Sequence, residues 1–588
     1  MIKFSLSLIA LTLSVVLTAQ TKIDPTLEVR RDFDGRVQEF SKSRLSTQIP
    51  DSLKSFNINM EYSIFNKPIK DLYEFSPLPS AQLVSSGDNK NPFVYARLGI
   101  GVPVNPELEI KIQPRLGEKN ALLITASHSS YLGKHQTNIY SGTSIKDGDF
   151  EIDAENMNND VALLYGRFWS KGEMKINMGY RRDYYTYYGI NENLVSDLHL
   201  RNANSTFNIN DVDEQSYMRD SLSHTYDQLY AGISLNSSNN EPGSFYYRFG
   251  ANVSYINDHP KLFKELAVPK FEEKLVSISA TLSPVYGEKH KFFLSMDYKG
   301  ANAIFSNVLD RGNIELYPHY RSSYKFIDFE AGVKYNHYFS ENSDSSRSDF
   351  YIKADVSAEL IKEHLWLYGG IDGGNIFRTW QMYMNENPWL SPFTQIKSSN
   401  IPYTAQIGIK SRFAGQFEFK LSAGISMLES SPYYTGSPEE DASNPLHSLL
   451  IANYQDYTKS WIRPEFTWKS EEIYAGASAT FKSLKADSGS IVFDESKSEL
   501  DAFIRYNYRE RVIAALSARI CGKRDVFSAG NTITLPAYNK INLNVTYVYD
   551  KNLSFYGGVD NLFNTNEYKF LYYKQLGTTI RAGICLKF

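Results

Sequence analysis

The chain has 588 residues, with 62 Lys and Arg against 66 Asp and Glu, a formal net charge of −4. That balance offers no basic stripe for nucleic acid, and two cysteines, Cys521 and Cys585, are too few for a disulfide framework. Aromatic residues reach 14%, including 42 tyrosines, and tyrosine suits places with one wet and one greasy side, as at a membrane interface.

The first stretch, "MIKFSLSLIALTLSVVLTAQT", carries Lys3, an apolar core from Phe4 to Leu17, and the small Ala19. It reads as a secretory signal peptide over residues 1–19, cut before Gln20. Its apolar core is shorter than the roughly 20 residues that span a bilayer. Residues 20–92 are polar and rich in turn residues ("NKPIK", "FSPLPSAQ"), with short strand-like pieces such as "SFNINMEYSIF". No later apolar run approaches a helical span, the longest resembling "VIAAL" at Val512–Leu516. A helical membrane protein is excluded.

From Asn91 onward the sequence alternates. In "FYIKADVSAEL", Phe350, Ile352, Ala354, Val356, Ala358 and Leu360 oppose Tyr351, Lys353, Asp355, Ser357 and Glu359. In "QFEFKLSAGISM", Phe417, Phe419, Leu421, Ala423, Ile425 and Met427 oppose Glu418, Lys420, Ser422 and Ser426. Successive strand side chains point to opposite faces, so each segment wants an apolar setting on one side and water on the other. A half-buried soluble sandwich and a membrane barrel both satisfy that demand. The connections separate them. Those at Ser170–Gly172, Lys362–Glu363, Ala414–Gly415, Ser470–Glu471, Arg509–Glu510 and Asp550–Asn552 are tight. Between them lie long ones at Leu132–Asn159, Tyr188–Ser221, Phe377–Asn400, Leu428–His447, Leu484–Glu499 and Arg524–Pro536. Strict sorting of short and long connections is the habit of transmembrane barrels. The expected fold is all-β: one transmembrane antiparallel up-and-down β-barrel over residues 93–588, with about 22 strands (18–24). Its expected location is the outer membrane of a Gram-negative cell, in contact with outer-membrane lipid.

The last segment, "TTIRAGICLKF", repeats the same parity and ends on Phe588 in the apolar file. Closing a barrel removes strand edges that lipid cannot satisfy, so this strand is expected to pair with the first. Phe588 reads as a signal for the barrel-assembly machinery or as an interfacial anchor, and the two roles are compatible.

The stretch Phe555–Phe588, with Asp560, Asn561, Leu562, Phe563 and Asn564 and then Gly577, Gly583 and Phe588, resembles the C-terminal two strands of TonB-dependent receptors. "ENPWLSPFTQIKSSNIPYTAQIGIK" and "LEVRRDFDGRVQEFSKSRLSTQIPD" are similar to receptor-like barrels of Bacteroidetes-type bacteria. The resemblance implies an outer-membrane transporter-type barrel of 22 strands and names no solute. The chain departs from the family between Gln20 and Pro92, where 73 residues are too few for a complete plug domain and show no energy-coupling box. A lumen this wide is normally plugged, so the 20–92 segment, folded-in loops or a separate plug protein is expected to fill it.

Parity places Lys175, Arg181, Asp297, Lys353, Asp355, Glu359, Glu418, Lys420, Arg505, Arg519, Arg581 and Lys587 on the lumen side. They are candidates for selecting a solute or holding a plug, against the plainer reading that wet positions tolerate charge and pair among themselves. The ten histidines form no metal-like cluster, the acidic loops lack calcium-loop spacing, and catalytic motifs are absent. No metal, cofactor or enzymatic activity is expected. Two functions stand: a receptor-like barrel that transports a solute, or a non-conducting accessory barrel that scaffolds a surface complex.

Overall fold

Period-two alternation becomes strand because each face then meets its own solvent. The structure, a computed structural model, describes residues 93–588 apart from 142–143, 190–221, 238–242, 263–270, 286–289, 305–307, 341–345, 392, 437–448, 488, 490, 529 and 566–567. The expected signal peptide and the 20–92 segment lie outside the described residues, as does most of the expected loop Tyr188–Ser221.

The elements in chain order are β1 (Val94–Val102), β2 (Glu107–Ile112), β3 (Asn120–Ser141), β4 (Ser144–Trp169), β5 (Gly172–Thr186), β6 (Leu222–Ser237), β7 (Phe245–Leu262), β8 (Phe271–Pro284) and β9 (His290–Ile304). Next come β10 (Val308–Tyr324), β11 (Ile327–Ser340), β12 (Arg347–Ile361), β13 (Leu365–Ile376), the helix α1 (Trp380–Glu386), β14 (Ser399–Phe413), β15 (Phe417–Gly436), β16 (Leu450–Lys469) and β17 (Ile473–Ala486). The chain finishes with β18 (Ser498–Tyr508), β19 (Val512–Cys521), β20 (Arg524–Ser528), β21 (Asn531–Leu535), β22 (Tyr538–Val548), β23 (Leu553–Asp560), β24 (Tyr568–Phe570), β25 (Tyr573–Lys574) and β26 (Thr579–Lys587).

Two small hairpins, β20–β21 and β24–β25, stand apart, and the other strands form one 22-stranded sheet. Every ladder is antiparallel, and β26 returns to β1, from Tyr95 opposite Lys587 to Val102 opposite Ile580. The sheet is a closed barrel. Phe588 continues the closing ladder, exchanging backbone bonds with Val94 at 3.1 and 2.9 Å. The outer face is apolar: Phe350 and Ile352 are 73% and 64% exposed while Tyr351 between them is 3% exposed. No described helix is long and apolar enough to cross a membrane.

One end of the barrel carries the tight turns, here called the turn end. At Ala414–Gly415 and Arg509–Glu510 both central residues have positive φ (50° and 67°, 50° and 56°), and the flanking residues close the turns with Gln416 N–H to Phe413 O and Arg511 N–H to Tyr508 O. That mirror-image turn matches strand twist, and Arg509 and Glu510 adopt it without the usual Asn-Gly. The other end carries the long connections, here called the loop end.

Three expected loops are in part strand. Across Leu132–Asn159, β3 and β4 pair in unbroken register to Gln136 opposite Glu151 and, after a register shift, on to Ser141 opposite Ser144. β15 continues to Gly436, and the Arg524–Pro536 connection holds the β20–β21 ladder. The reason is backbone satisfaction: beyond the membrane each N–H and C=O still needs a partner, and a lengthened hairpin supplies it. β4, with 26 residues, is more than twice the ~9–11 residues a membrane requires. The β1–β2, β3–β4 and β9–β10 connections depart from the sorting rule, being short links over residues 103–106, 142–143 and 305–307 at the loop end.

The seam where the barrel closes is built around Tyr556. Gly99 and Gly583 sit opposite each other, and a Cβ on either would collide with the Tyr556 ring or with strand backbone. The glycines thus make the bed on which the ring lies. Arg97 covers that ring at 4.0 Å. Glu107 accepts from Tyr556 Oη at 3.2 Å and from Arg581 Nη1 at 2.7 Å, and Arg97 Nη2 lies 3.3 Å from it. Arg581 also pairs with Asp560 at 3.2 Å. One network therefore ties β1, β2, β23 and β26 together. Nearby, the motif residue Asn561 adopts φ 49°, donates to Thr565 O and Leu576 O, and accepts from Thr565 N. It shapes the chain entering the loop.

Candidate functional site

The candidate lumen charges mostly pair with residues outside the candidate set. Lys175 meets Glu173 at 2.7 Å and Arg181 meets Asp183 at 2.6 Å. Lys353 lies 3.8 Å from Glu330, which also binds Arg321. Asp297 is on β9 and Asp355 on β12, the latter against Gly370, where its carboxylate fills the space of a Cβ. Glu359 accepts from the Glu363 N–H at 2.6 Å in the turn below. Glu418 holds Lys410 and Arg412 at 2.9 and 3.3 Å, and Lys420 holds Glu465 at 3.4 Å. Arg505 is on β18, Lys587 on β26, and Arg519 on β19, 3.7 Å from Asp501. These positions ring the barrel and do not converge on one point.

Convergence occurs at the loop end, on residues of which parity singled out only Arg181. The β13–β14 connection begins with Phe377, Arg378 and Thr379 and folds into α1. Thr379 caps it, its hydroxyl accepting from Met382 N. The first N–H groups of a helix lack internal partners, and here Glu273 of β8 supplies them, accepting from Trp380 N at 3.1 Å and Gln381 N at 3.4 Å. The Trp380 indole donates to Asp258 of β7 at 2.8 Å. Arg311 of β10 lies 3.6 Å from Glu273 and donates to Arg378 O at 3.0 Å. Arg181 of β5 donates to Asn385 at 3.0 Å, and the Tyr383 and Tyr454 hydroxyls share a bond of 2.7 Å. Trp380 and Tyr383 are fully buried. Buried charge is tolerated when it is paired and hydrogen-bonded, and each of these charges has a partner. Burial opposes the charge on Arg378, but Glu386 at 3.1 Å outweighs it and holds the guanidinium above its ordinary range.

Three loops then meet. Trp389 stacks on Tyr573 at 4.5 Å and meets Tyr188 edge-on at 5.4 Å. Tyr188 and Tyr573 touch at 5.2 Å, and Tyr188 Oη donates to Lys574 O at 2.7 Å. The Trp389 indole donates to Thr186 O at 3.2 Å. Tyr188 follows the fifth strand of the barrel, Trp389 the thirteenth, and Tyr573 the twenty-first, since β20, β21, β24 and β25 are outside the sheet. In a ring of 22 strands, those origins are about a third of the circumference apart. Loops so placed touch only by crossing the mouth. With strands ~4.8 Å apart and tilted by ~40°, the barrel is roughly 40 Å wide, and its loop end is capped by its own connections. Burial pushes the Tyr188 and Tyr573 phenols up from their usual range, so both stay protonated.

Beside α1 lies a cavity of about 380 Å³ bounded by α1, the inner wall of β15–β19 and β22, and the loops after β17 and β23. Its lining carries Arg378, Lys459, Lys482, Arg519, Arg524 and Lys569 against Glu386, Asp494, Glu495 and Glu499. Lys482 bridges Glu495 and Glu499 at 3.1 and 2.9 Å, and Arg524 meets Asp494 at 3.2 Å. Burial pushes the Glu495 carboxyl up, but Lys482, Lys459 and the Tyr457 hydroxyl outweigh it and hold it below the usual range. Of the candidate charges only Arg519 lines this cavity. Among the described residues no group of His, Cys, Asp and Glu could hold a metal ion. Both cysteines are free thiols, Cys521 on the cavity wall and Cys585 beside Tyr95.

The barrel is similar to those of solved outer-membrane receptors of the TonB-dependent class. The FrpB iron transporter of Neisseria meningitidis matches with a TM-score of 0.62 at 9% identity, over 85% of this chain and 82% of that one. A ferric enterobactin receptor of Pseudomonas aeruginosa matches at 0.60 and 12%, over 85% and 81%. The ferripyoverdine receptor of the outer membrane of the same organism matches at 0.58 and 12%, over 85% and 72%. At such identities the likeness is one of fold. No family model matches the chain, and neither does any curated protein sequence.

Proposed function

We propose that this chain is a receptor-like transport barrel of the outer membrane, its loop end outward, admitting a solute past a cap made of its own loops. The observation that carries the reading is the junction of Tyr188, Trp389 and Tyr573 across the mouth, above an inner wall lined with charge. A scaffold has no need of a charged lumen, whereas a conduit needs both a wet wall and a closure. The neighbours of like fold are described as transporters and receptors. Residues 20–92 are proposed to dock at the turn end, which faces the periplasm, with a separate plug protein as the other means of filling the lumen. Energy coupling is not part of the proposal.

A second reading, a non-conducting barrel that scaffolds a surface complex, is favoured by the full burial of Trp380, Tyr383 and Tyr573 in the cap. Planar-bilayer conductance separates the two. The mature protein should conduct poorly, and replacing residues 377–399 by a short glycine-serine link while removing residues 20–92 should open a stable pore. Failure of the doubly trimmed barrel to conduct, with its folding verified, would favour the scaffold.

A further inference from the structure

At the loop end, four neighbouring strands leave the ring's ladders on both sides. β13 pairs with β12 only as far as Ile371 opposite Ala354, and β16 pairs with β17 only as far as Tyr457 opposite Ala486, with one more backbone bond from Asp487 N to Asp456 O at 3.2 Å. Beyond those points β13, β14, β15 and β16 pair with one another through residues 374–376, 399–401, 431–436 and 450–455. Side chains tie this flap to its neighbours, as Tyr351 Oη does to Asn400 at 2.5 Å and Gln455 Nε2 to Phe493 O at 2.8 Å. The flap is also marked off from the wall below. Gly373 faces both Pro402 and Tyr403, Leu428 faces both Ile401 and Pro402, and Asp456 faces both Glu429 and Ser430. A bulge of this kind interrupts the ladder and bends its strand. Side chains again hold the line. Ser430, at φ 51°, donates its N–H to the Asp456 carboxylate at 2.6 Å, its carbonyl accepts from Ser399 Oγ at 2.8 Å, and Lys334 Nζ donates to Gly373 O at 3.0 Å. A Cβ on Gly373 would meet the carbonyls of Ile401 and Pro402, so glycine stands where the bulged backbone comes closest.

The cap rides on this flap. Leu390 bridges to Leu450, with Ser391 N–H bound to Leu450 O at 2.7 Å. Lys397 N donates to Tyr454 Oη at 2.8 Å, and Arg378 Nε donates to Ser399 at 3.0 Å. Leu390, Leu449 and Leu450 are no more than 1% exposed. Tyr434 of the flap shares an apolar cluster with Val526 and Ile533 of the β20–β21 hairpin and Phe570 of β24, so both small hairpins belong to the same body. On the far side the cap is held by the bonds of Arg181, Asp258, Glu273 and Arg311 and by the Tyr188 edge. Asn138 of β3 adds a bond to Tyr572 O at 3.0 Å. We propose that the mouth opens as a hinged flap: β13–β16 beyond the bulges bend outward and lift the 377–398 connection, α1 included, off its bonds to β5–β10. Hinges are short segments that absorb a change in φ and ψ, and the bulges of β14 and β15 place two of them side by side. The ladders within the flap and below it stay whole, so the bonds that break are those on the far side. This deepens the proposed transport function and rests on that reading for its purpose, though not for its test.

Distances between spin labels test the hinge on the full chain in detergent, with Cys521→Ser and Cys585→Ser as background. Labels are introduced in pairs at Lys261→Cys on β7, Phe393→Cys in the cap connection and Ile451→Cys on the flap. Lys261 and Phe393 are exposed, and Ile451 alternates with the buried Leu450 and Ala452. The far side is released by Glu273→Ala and, independently, by Trp389→Ala, with assembly verified by heat-modifiable mobility. Six residues of strand, 431–436, measure ~20 Å. A swing of about 20° at the bulges therefore moves the flap tip by roughly 7 Å. In the released variants the 261–393 and 261–451 distances should both gain a population longer by about that amount, while 393–451 keeps one narrow distribution. A 261–451 distance unchanged in both variants would overturn the proposal, since the cap would then leave without the flap or not at all. A 393–451 distance that broadens would overturn it too, because the flap and the connection would not be one body. Nothing is translocated in this assay, so a hinge can be found in a barrel that does not conduct, and a conducting barrel can lack one.

Discussion

Replacing Trp389 with alanine removes the ring on which three loops converge. It deletes the stack on Tyr573 at 4.5 Å, the edges on Tyr188 at 5.4 Å and Phe570 at 6.0 Å, and the indole bond to Thr186 O at 3.2 Å. Truncating a buried tryptophan to alanine costs about 3–5 kcal/mol. Trp389 is only partly buried, so the lower end applies, about 3 kcal/mol. At ~1.4 kcal/mol per factor of ten, opening of the cap becomes roughly a hundredfold more frequent. None of the lost contacts belongs to a barrel ladder, so the wall should be untouched. Hydrogen–deuterium exchange reads this directly. Peptides covering 377–399 and 568–574 should exchange faster by about two orders of magnitude, and a peptide within β15 should not change. Unaltered exchange over 568–574 would refute the cap as a cooperative junction. Equal acceleration within β15 would mean that Trp389 supports the barrel itself.

Other expectations follow from the same contacts. Phe588→Asp should lower the yield of assembled barrel more than Lys587→Asp does, because a lipid-side charge is unfavourable by up to ~2–4 kcal/mol at mid-membrane and less at the rim; heat-modifiable mobility in gels reports the yield. Glu107→Gln should weaken the seam by about 2 kcal/mol, the scale of a charge-assisted hydrogen bond, and lower the temperature at which the barrel opens in detergent. Glu495 has a depressed folded pKa, so it contributes stability above its unfolded pKa that is lost as pH falls through the folded one; Glu495→Gln should flatten acid sensitivity in that window, measured by thermal melts across pH. An epitope tag beside the exposed Phe393 should be reached by antibody on intact cells while one at Lys362–Glu363 should not, and the reverse pattern would invert the proposed orientation.

Strand parity was legible because it answers to something local. Phe350 and Ile352 face outward, Tyr351 faces inward, and nothing distant is needed to decide it. The tight turns were legible for a related reason: at Ala414–Gly415 and Lys362–Glu363 the alternating pattern stops on both sides of a few polar or small residues. The helix α1 was not. Seven residues are too few to show a period, and its first N–H groups depend on Glu273, 107 residues earlier. The cap was invisible for the same reason, since Tyr188, Trp389 and Tyr573 meet only once the ring exists. The hairpin beyond Leu132 was misjudged because its polar composition resembles loop, although its ladder continues unbroken to Gln136. The "DNLFN" motif was readable as a family resemblance, but its physical content, Asn561 in the left-handed region holding Thr565 and Leu576, needed the bonds themselves.

The seam has a kinetic meaning. Every other ladder in the barrel joins strands that are neighbours along the wall and close in the chain, so each can form as the next strand arrives. The β1–β26 pairing instead brings together residues such as Tyr95 and Cys585, 490 positions apart. Closing a flexible loop of that length costs about 5 kcal/mol in chain entropy, yet once the other ladders exist most of that cost has already been met in small steps. Before the seam joins, the growing sheet exposes two raw edges that would pair with anything extended nearby. The order of events is thus written into the ring: hairpins first, circumference last, with the Tyr556 latch engaging only when the two ends of the sheet meet.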